Sequence, residues 1–258
     1  MSSIVVGPPP PPVDYPDSDG NPMAENTLQY EWIVTVKGNL DLLFRDRPDV
    51  FVAGDNLIYP VRGNNAVRQA PDVYVAFGRP KGDRGSYRVW EEEDVFPQVV
   101  FEILSPGNRF AEMARKFVFY ETYGAEEYYI LDPDRVRMQG YLNRDLGFEE
   151  VPDMNGWVSP RLKIRFGIDT DLELYYPDRR RFLSFVELGQ RAEEERRRAE
   201  EEARQREAER QRAEQEKQRA EAERQRAEQE KQRAEQEKQR AEKLAAKLRE
   251  LGVDPDAV

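Results

Sequence analysis

Apolar positions recur at near-helical steps from Thr27 to about Arg47, where Leu28, Trp32, Val36, Leu40 and Leu43 are four, four, four and three apart and predict an amphipathic helix. The period then changes. Short runs rich in β-branched and aromatic residues follow, VFVAG at 50–54, NLIYPV at 56–61, DVYVAFG at 72–78 and QVVFEIL at 98–104, and read as strands. Helical spacing returns from about Asn108 to Tyr123, with Phe110, Ala114, Phe117 and Tyr120 or Glu121 on the predicted inner side and Gly124 as the stop. EEYYIL at 126–131 is the next strand, closed by Asp132-Pro133, and short strands at GYLN near 140 and LKIRFGI near 162 are expected to complete the sheet. That order predicts an α/β layer structure with one mixed sheet flanked by helices.

The two ends read differently. Residues 1–25 carry Pro8 to Pro12, Pro16 and Pro22 among Gly, Ser and Asp, and are expected to be an extended, disordered arm without a core. Residues 26–188 hold the aromatic and β-branched positions, enough for one domain. In 189–258, the stretch from Gln190 to Leu251 has neither Gly nor Pro and predicts a long helix, about 90 Å at ~1.5 Å per residue. Gly252 and Pro255 stop it. Its sequence repeats: QRAEQEK at Gln211 returns as QRAEAER at Gln218, then at Gln225, Gln232 and in part Gln239, so that Ala213, Ala220, Ala227, Ala234 and Ala241 fall seven apart. The companion seam positions hold Glu216 and Lys217, or Glu230 and Lys231, so the seam is thin. A single charge-laced helix and a loose coiled coil fit this pattern equally, with Leu244, Leu248 and Leu251 as the one good apolar stripe.

Composition narrows the chemistry. The chain of 258 residues has no His and no Cys, which excludes His-based triads, His- or Cys-ligated zinc, disulfides and iron–sulfur clusters. Catalysis must run on Asp, Glu, Lys, Tyr, Ser or a hard cation held by oxygen. The N-terminal MSSIVVG resembles no secretory segment and no stretch approaches a membrane span, so a cytoplasmic protein without a membrane partner is expected. The net charge of −11 is uneven: from Gln190 onward there are 19 basic and 20 acidic residues, against 21 and 31 before it.

Two carboxylates interrupt runs that otherwise favour burial. Asp72 opens DVYVAFG directly after Pro71, and Glu102 lies between Phe101 and Ile103 inside QVVFEIL, where an ionised Glu requires a partner or a metal. Strand alternation puts Val100, Glu102 and Leu104 on one face and Asp72, Tyr74 and Ala76 on another. If the strands are neighbours, Asp72, Glu102 and the carbonyl of Ile103 can converge on one hard cation, an arrangement suited to phosphodiester hydrolysis. A structural ion pair of Glu102 with an arginine such as Arg109, and a turn-capping role for Asp72, are the plain alternatives.

APDVYVAFG followed by PQVVFEILSPGNRFAEMARKFVFYETYGAEEYYILDPD resembles the Uma-type putative restriction endonuclease family, a branch of the PD-(D/E)XK nuclease superfamily, over roughly Tyr30 to Phe185. The resemblance implies a restriction-endonuclease-like core and DNA cleavage that depends on magnesium, with manganese as a possible substitute. On that pattern Asp72 and Glu102 are the metal-binding acids. The parent signature's lysine, two residues after the second acid, is here Leu104; the family's pattern of a Lys four residues before a Tyr is matched by Lys116 and Tyr120. Glu31 is the candidate for the acid that many such nucleases place on their first helix.

Nucleic-acid contact requires local positive charge. Arg62, Arg68, Arg79, Lys81, Arg84 and Arg88 bracket the Asp72 strand, and the loop GRPKGDRGSYR makes Arg79, Lys81, Arg84 and Arg88 the candidate phosphate contacts, or else a solvated loop with salt bridges. The expected function is a metal-dependent endodeoxyribonuclease acting as a homodimer, so that two sites cut two strands. The rival is a catalytically silent nuclease-like module that binds DNA or protein through its long helix.

Overall fold

In the computed structural model, which describes residues 13–18, 20, 24 and 26–250 (without the side chains of 248–250), Asn26 starts the first helix. Its side chain accepts the N–H of Gln29 at 2.8 Å, a capping bond worth about 1 kcal/mol. Helix α1 runs over Thr27–Leu43 and buries Gln29, Ile33, Val36, Asn39 and Leu40. It ends four residues before the predicted limit, and Leu28, expected on the inner stripe, is exposed.

The elements that follow are β1 (Val50–Ala53), β2 (Ile58–Tyr59), β3 (Val73–Phe77), β4 (Tyr87–Arg88), β5 (Val99–Ile103), α2 (Phe110–Tyr123), β6 (Glu127–Asp132), β7 (Arg137–Arg144), β8 (Gly147–Glu150), β9 (Arg165–Ile168), β10 (Leu172–Tyr175) and α3 (Phe185–Glu250). Six strands form one sheet in the order β1-β3-β5-β6-β7-β8. Within this sheet β5 and β6 pair in parallel, because α2 carries the chain back between them, and the other neighbours are antiparallel. This is the mixed α/β layer arrangement that the order of elements in the sequence predicts.

Two strand expectations are corrected. The 56–61 stretch contributes only β2, which pairs with β4 in a small parallel sheet, and the 162–168 stretch gives β9, which pairs with β10 instead of completing the main sheet. Short strands record little of their pairing in their own sequence.

Side-chain alternation divides the core. Val73, Val75, Val99, Phe101, Ile103, Tyr129 and Leu131 face α1, whereas Tyr74, Ala76, Val100 and Tyr128 face α2 with its Phe119 and Tyr120. The inner side of α2 differs from the predicted one at its start: Phe110 and Ala114 are exposed, and Lys116, Phe117 and Tyr120 turn inward. Gly124, at φ 95°, caps the helix in the left-handed region that only glycine occupies without strain.

Part of the N-terminal arm packs. The ring of Tyr15 meets Tyr59 and Trp90 at centroid distances of 5.2 and 5.0 Å, and the carbonyl of Pro16 accepts from the Tyr59 hydroxyl at 2.7 Å. An aromatic residue within the Pro-rich segment gives it an anchor that composition alone conceals.

The chain divides into two compact units between Gly189 and Gln190. Helix α3 starts before that boundary with a capping box: the Ser184 hydroxyl accepts the N–H of Glu187 at 3.3 Å, and the Glu187 carboxylate accepts the N–H of Ser184 at 2.8 Å. Its side chains from Gln190 to Leu244 are exposed. Of the predicted leucine stripe, Leu244 is 64% exposed, while Leu251 and the side chain of Leu248 lie outside the described residues.

Candidate active site

The site forms where β3 and β5 run side by side. Their register sets Tyr74 opposite Val100 and Val73 opposite Phe101, so the next pair outward is Asp72 and Glu102. Directly opposed residues of an antiparallel pair share a face, and this face is the one that α2 covers.

Glu102 is 2% exposed, a position where an unpaired carboxylate costs several kcal/mol. Two residues of α2, four apart and therefore on one face, supply its partners. Lys116 Nζ lies 2.7 Å from Oε2, and the Tyr120 hydroxyl donates to Oε1 at 2.7 Å. Arg109, the arginine considered as the structural partner, is instead the exposed N-cap residue of α2.

Burial alone would lower the pKa of Lys116, but the carboxylates of Glu102 and Asp72 raise it above the ordinary lysine value. The amine is thus an ammonium at neutral pH, a donor and a positive charge rather than a base. Asp72 is driven the other way: burial, then the negative charge of Glu102, raises its carboxyl well above the usual range, against the lowering effects of Lys116 and the Ile103 N–H. Its Oδ2 accepts that N–H at 2.6 Å. Without a cation, a proton on Asp72 relieves the repulsion between the two acids.

Two further residues shape the site and have no signature in the sequence. Gly54 lies so close to Asp72 that a Cβ there would stand 2.2 Å from the Asp72 carbonyl oxygen. Gln29, buried in the first turn of α1, donates from Nε2 to the carbonyl of Ile103 at 2.8 Å. Glu31, two residues later and thus about 200° around the helix, is exposed. The structure therefore brings together Asp72, Glu102, Ile103 and Lys116, and α1 adds Gln29 rather than Glu31.

The basic residues of the 79–88 loop are engaged within the protein. Arg79 pairs with Glu93 at 2.8 Å, and Lys81 donates to the carbonyls of Phe44 and Arg45 at 2.7 and 3.2 Å. Arg84 forks onto Glu92 and lies over the Phe51 ring, and Arg88 reaches Glu91 at 3.4 Å with the Tyr15 ring 5.3 Å away.

A family model for Uma2, described as putative restriction endonuclease, matches residues 20–178, more than half of the chain. The chain belongs to this family. Among solved structures, a putative nuclease belonging to DUF820 from Anabaena variabilis is similar over 50% of this chain and 70% of its own, at 13% identity and a TM-score of 0.38. No curated protein matches the sequence.

Uma2 membership makes this a nuclease-family chain, and the donor set fits the divalent cation that such folds generally use. Among the described residues no three His, Cys, Asp or Glu side chains gather into a cation site, so an ion here would take two carboxylates and complete its shell from backbone and water. Magnesium is commonly held in this way, by one or two carboxylates with several retained waters. Two facing acids, one with its carboxyl held well above the usual range chiefly by burial and then by the charge of the other, are a fitting site for a hard cation. Among the described residues no helix is long and apolar enough to cross a membrane.

Proposed function

We propose that this chain is a divalent-metal-dependent endodeoxyribonuclease that hydrolyses DNA phosphodiester bonds with magnesium, or manganese in its place. The observation that carries this reading is that Asp72, which accepts the Ile103 N–H, and Glu102 face each other across β3 and β5, with a protonated lysine delivered to Glu102 from α2. Asp72, Glu102 and the Ile103 carbonyl would hold the cation. When bound, it supplies Lewis-acid activation of water and of the phosphoryl oxygens. Lys116, as an ammonium in a largely water-excluded setting, favours the extra negative charge that develops at phosphorus as the water oxygen adds and the ester P–O bond breaks. Its protonated state argues for this electrostatic role over proton abstraction.

In this reading the 79–88 loop meets the DNA backbone. Arg88 is suited to it, because its side chain is 32% exposed against 14% for Arg84 and 10% for Arg79. Lys81 and the other two arginines would have to exchange protein partners for phosphate oxygens. For double-strand cleavage, a symmetric homodimer would bring two such sites to the two strands; the reading places this activity in the cytoplasm.

Leu104 at the usual lysine position and the acidic net charge favour the rival, a catalytically silent module. Delivery of an amine to Glu102 from α2 answers the first of these. The deciding experiment is cleavage of supercoiled and single-stranded DNA with magnesium or manganese by the parent, Asp72→Asn, Glu102→Gln and Lys116→Ala. Activity in the parent and loss in all three is the expected result. Salt-dependent DNA binding that survives loss of both carboxylates, with no cleavage by any form, would favour the silent module.

A further inference from the structure

Continuing the β3–β5 register one step beyond Asp72 and Glu102 sets Ile103 opposite Pro71. Alternation along β5 directs the N–H and C=O of Ile103 toward β3, since Leu104 turns its own N–H to Leu131 of β6 at 2.7 Å. Pro71 cannot complete that pair. It has no N–H to offer, and its carbonyl already accepts from the Asp55 N–H at 3.0 Å. Both backbone groups of Ile103 are therefore taken by side chains: the Asp72 carboxylate receives the N–H and the Gln29 amide donates to the carbonyl. A buried carbonyl at the end of a central strand normally finds such a donor. The particular point is that this carbonyl belongs to the residue that follows Glu102 and whose N–H binds Asp72, and that its donor comes from α1, 74 residues away in sequence.

We propose that Gln29 is a positioning residue of the metal centre, fixing the Ile103 carbonyl beside Asp72 and Glu102 so that three oxygens of this chain present themselves to one divalent cation. The inference rests on the metal-dependent reading above. A carbonyl has two lone pairs, so one can keep the amide N–H while the other faces the cation. Supports of this kind typically change metal affinity by about 10- to 100-fold when removed.

The test is Mn2+ affinity of the full chain, by titration calorimetry and electron paramagnetic resonance without DNA. Parent, Gln29→Met, Gln29→Asn, Glu31→Gln and Asp72→Asn are compared, each checked for folding by circular dichroism. Gln29→Met removes the donor at similar volume; Gln29→Asn keeps an amide but withdraws it by one methylene, and replaces Gln29→Met if that variant does not fold. The expected result is Mn2+ binding weakened about tenfold in the Gln29 variants, unchanged in Glu31→Gln and lost in Asp72→Asn. Parent-like affinity in a folded Gln29 variant, with loss in Asp72→Asn, overturns the positioning role and leaves the metal site standing. Absence of Mn2+ binding in the parent overturns the metal-dependent reading and the positioning role with it.

Discussion

Lys116 and Glu102 are fourteen residues apart and on different elements, yet Nζ and Oε2 lie 2.7 Å apart with side chains only 12% and 2% exposed. The pair couples α2 to the central strand β5. Truncating one partner leaves the other as an uncompensated buried charge, which typically costs about 3 to 5 kcal/mol, whereas replacing both with neutral groups costs far less. Lys116→Met is expected to lower unfolding stability by that order, and Glu102→Gln combined with Lys116→Met to recover much of it. Urea unfolding of the two single variants and the double variant measures the coupling; additive losses would show that the pair contributes little beyond its separate parts.

Asp72 gives a prediction whose sign follows from its shifted pKa. Because the folded-state value lies well above the ordinary carboxyl range, its protonation stabilises the fold below about pH 4 and that contribution disappears as the pH rises through the raised value. The metal-free protein should therefore lose stability from weakly acidic pH upward. Asp72→Asn should remove this loss, since an amide can accept from the Ile103 N–H through its oxygen and donate toward Glu102. A gain of about 1 kcal/mol near neutral pH is expected, the usual exchange of stability for function at such sites. The same linkage makes metal binding release a proton. Calorimetry of Mn2+ binding in two buffers of different ionisation enthalpy should show it in the parent; identical heats in both would contradict a protonated Asp72.

Gly54 tests how closely the neighbouring turn holds Asp72. Since a Cβ would stand 2.2 Å from the Asp72 carbonyl oxygen, Gly54→Ala forces the Pro71-Asp72 backbone to move. A loss of about 1 to 3 kcal/mol is expected, with Mn2+ affinity falling as well. Unchanged affinity would mean that the Asp72 carboxylate tolerates displacement of its own backbone.

What the sequence made legible follows from how each feature is encoded. Glu102 stood out because a single ionisable residue inside VVFEIL violates burial, and it is buried with partners. The two-residue alternation that put Glu102 on a face with Val100 and Leu104 is also what turns it toward α2. Gln29 was missed because an uncharged amide on a helix carries no penalty that a pattern can register; only the pairing of Ile103 opposite Pro71 gives it meaning. Phe110 has the spacing of the α2 stripe, yet as the first residue of the helix it is 89% exposed. β4 escaped because a run of two residues carries too little periodicity. The docking of Tyr15 depends on Tyr59 and Trp90, far away along the chain.

That docking can be broken selectively. Tyr15→Ala removes ring contacts with Tyr59 and Trp90 and the ring near the Arg88 guanidinium, while the main sheet is untouched. Removing an aromatic packed at this level is expected to cost about 0.5 to 1.5 kcal/mol beyond its buried area. The Trp90 environment should become more solvent-exposed, read as a red shift in tryptophan fluorescence, and the arm should become easier to cleave by limited proteolysis before α1. An unshifted spectrum with unchanged cleavage would show that Pro16 and Asp14, which accept from Tyr59 and Asn65, hold the arm without the ring.

The long helix α3 offers a separate test of local support against pairing with a second copy. Arg191 with Glu195 and Arg196 with Glu200 pair at 3.1 and 2.9 Å with i,i+4 spacing, and the side chains from Gln190 through Leu244 are exposed along the single chain. Exposed pairs of this kind each give about 0.3 to 0.5 kcal/mol and are screened by salt. A helix held in this way should lose far-ultraviolet helical signal as sodium chloride rises from about 10 mM, where the Debye length is ~30 Å, to about 1 M, where it is ~3 Å. Near-ultraviolet signals from the tryptophans, all of which lie before the helix, should stay constant. Melting that is independent of protein concentration identifies a self-supporting helix, since each residue then draws only on neighbours three and four positions away. Melting temperatures that rise with concentration would instead mean that the alanines at seven-residue spacing pair in a second copy, and that the thin seam suffices for association.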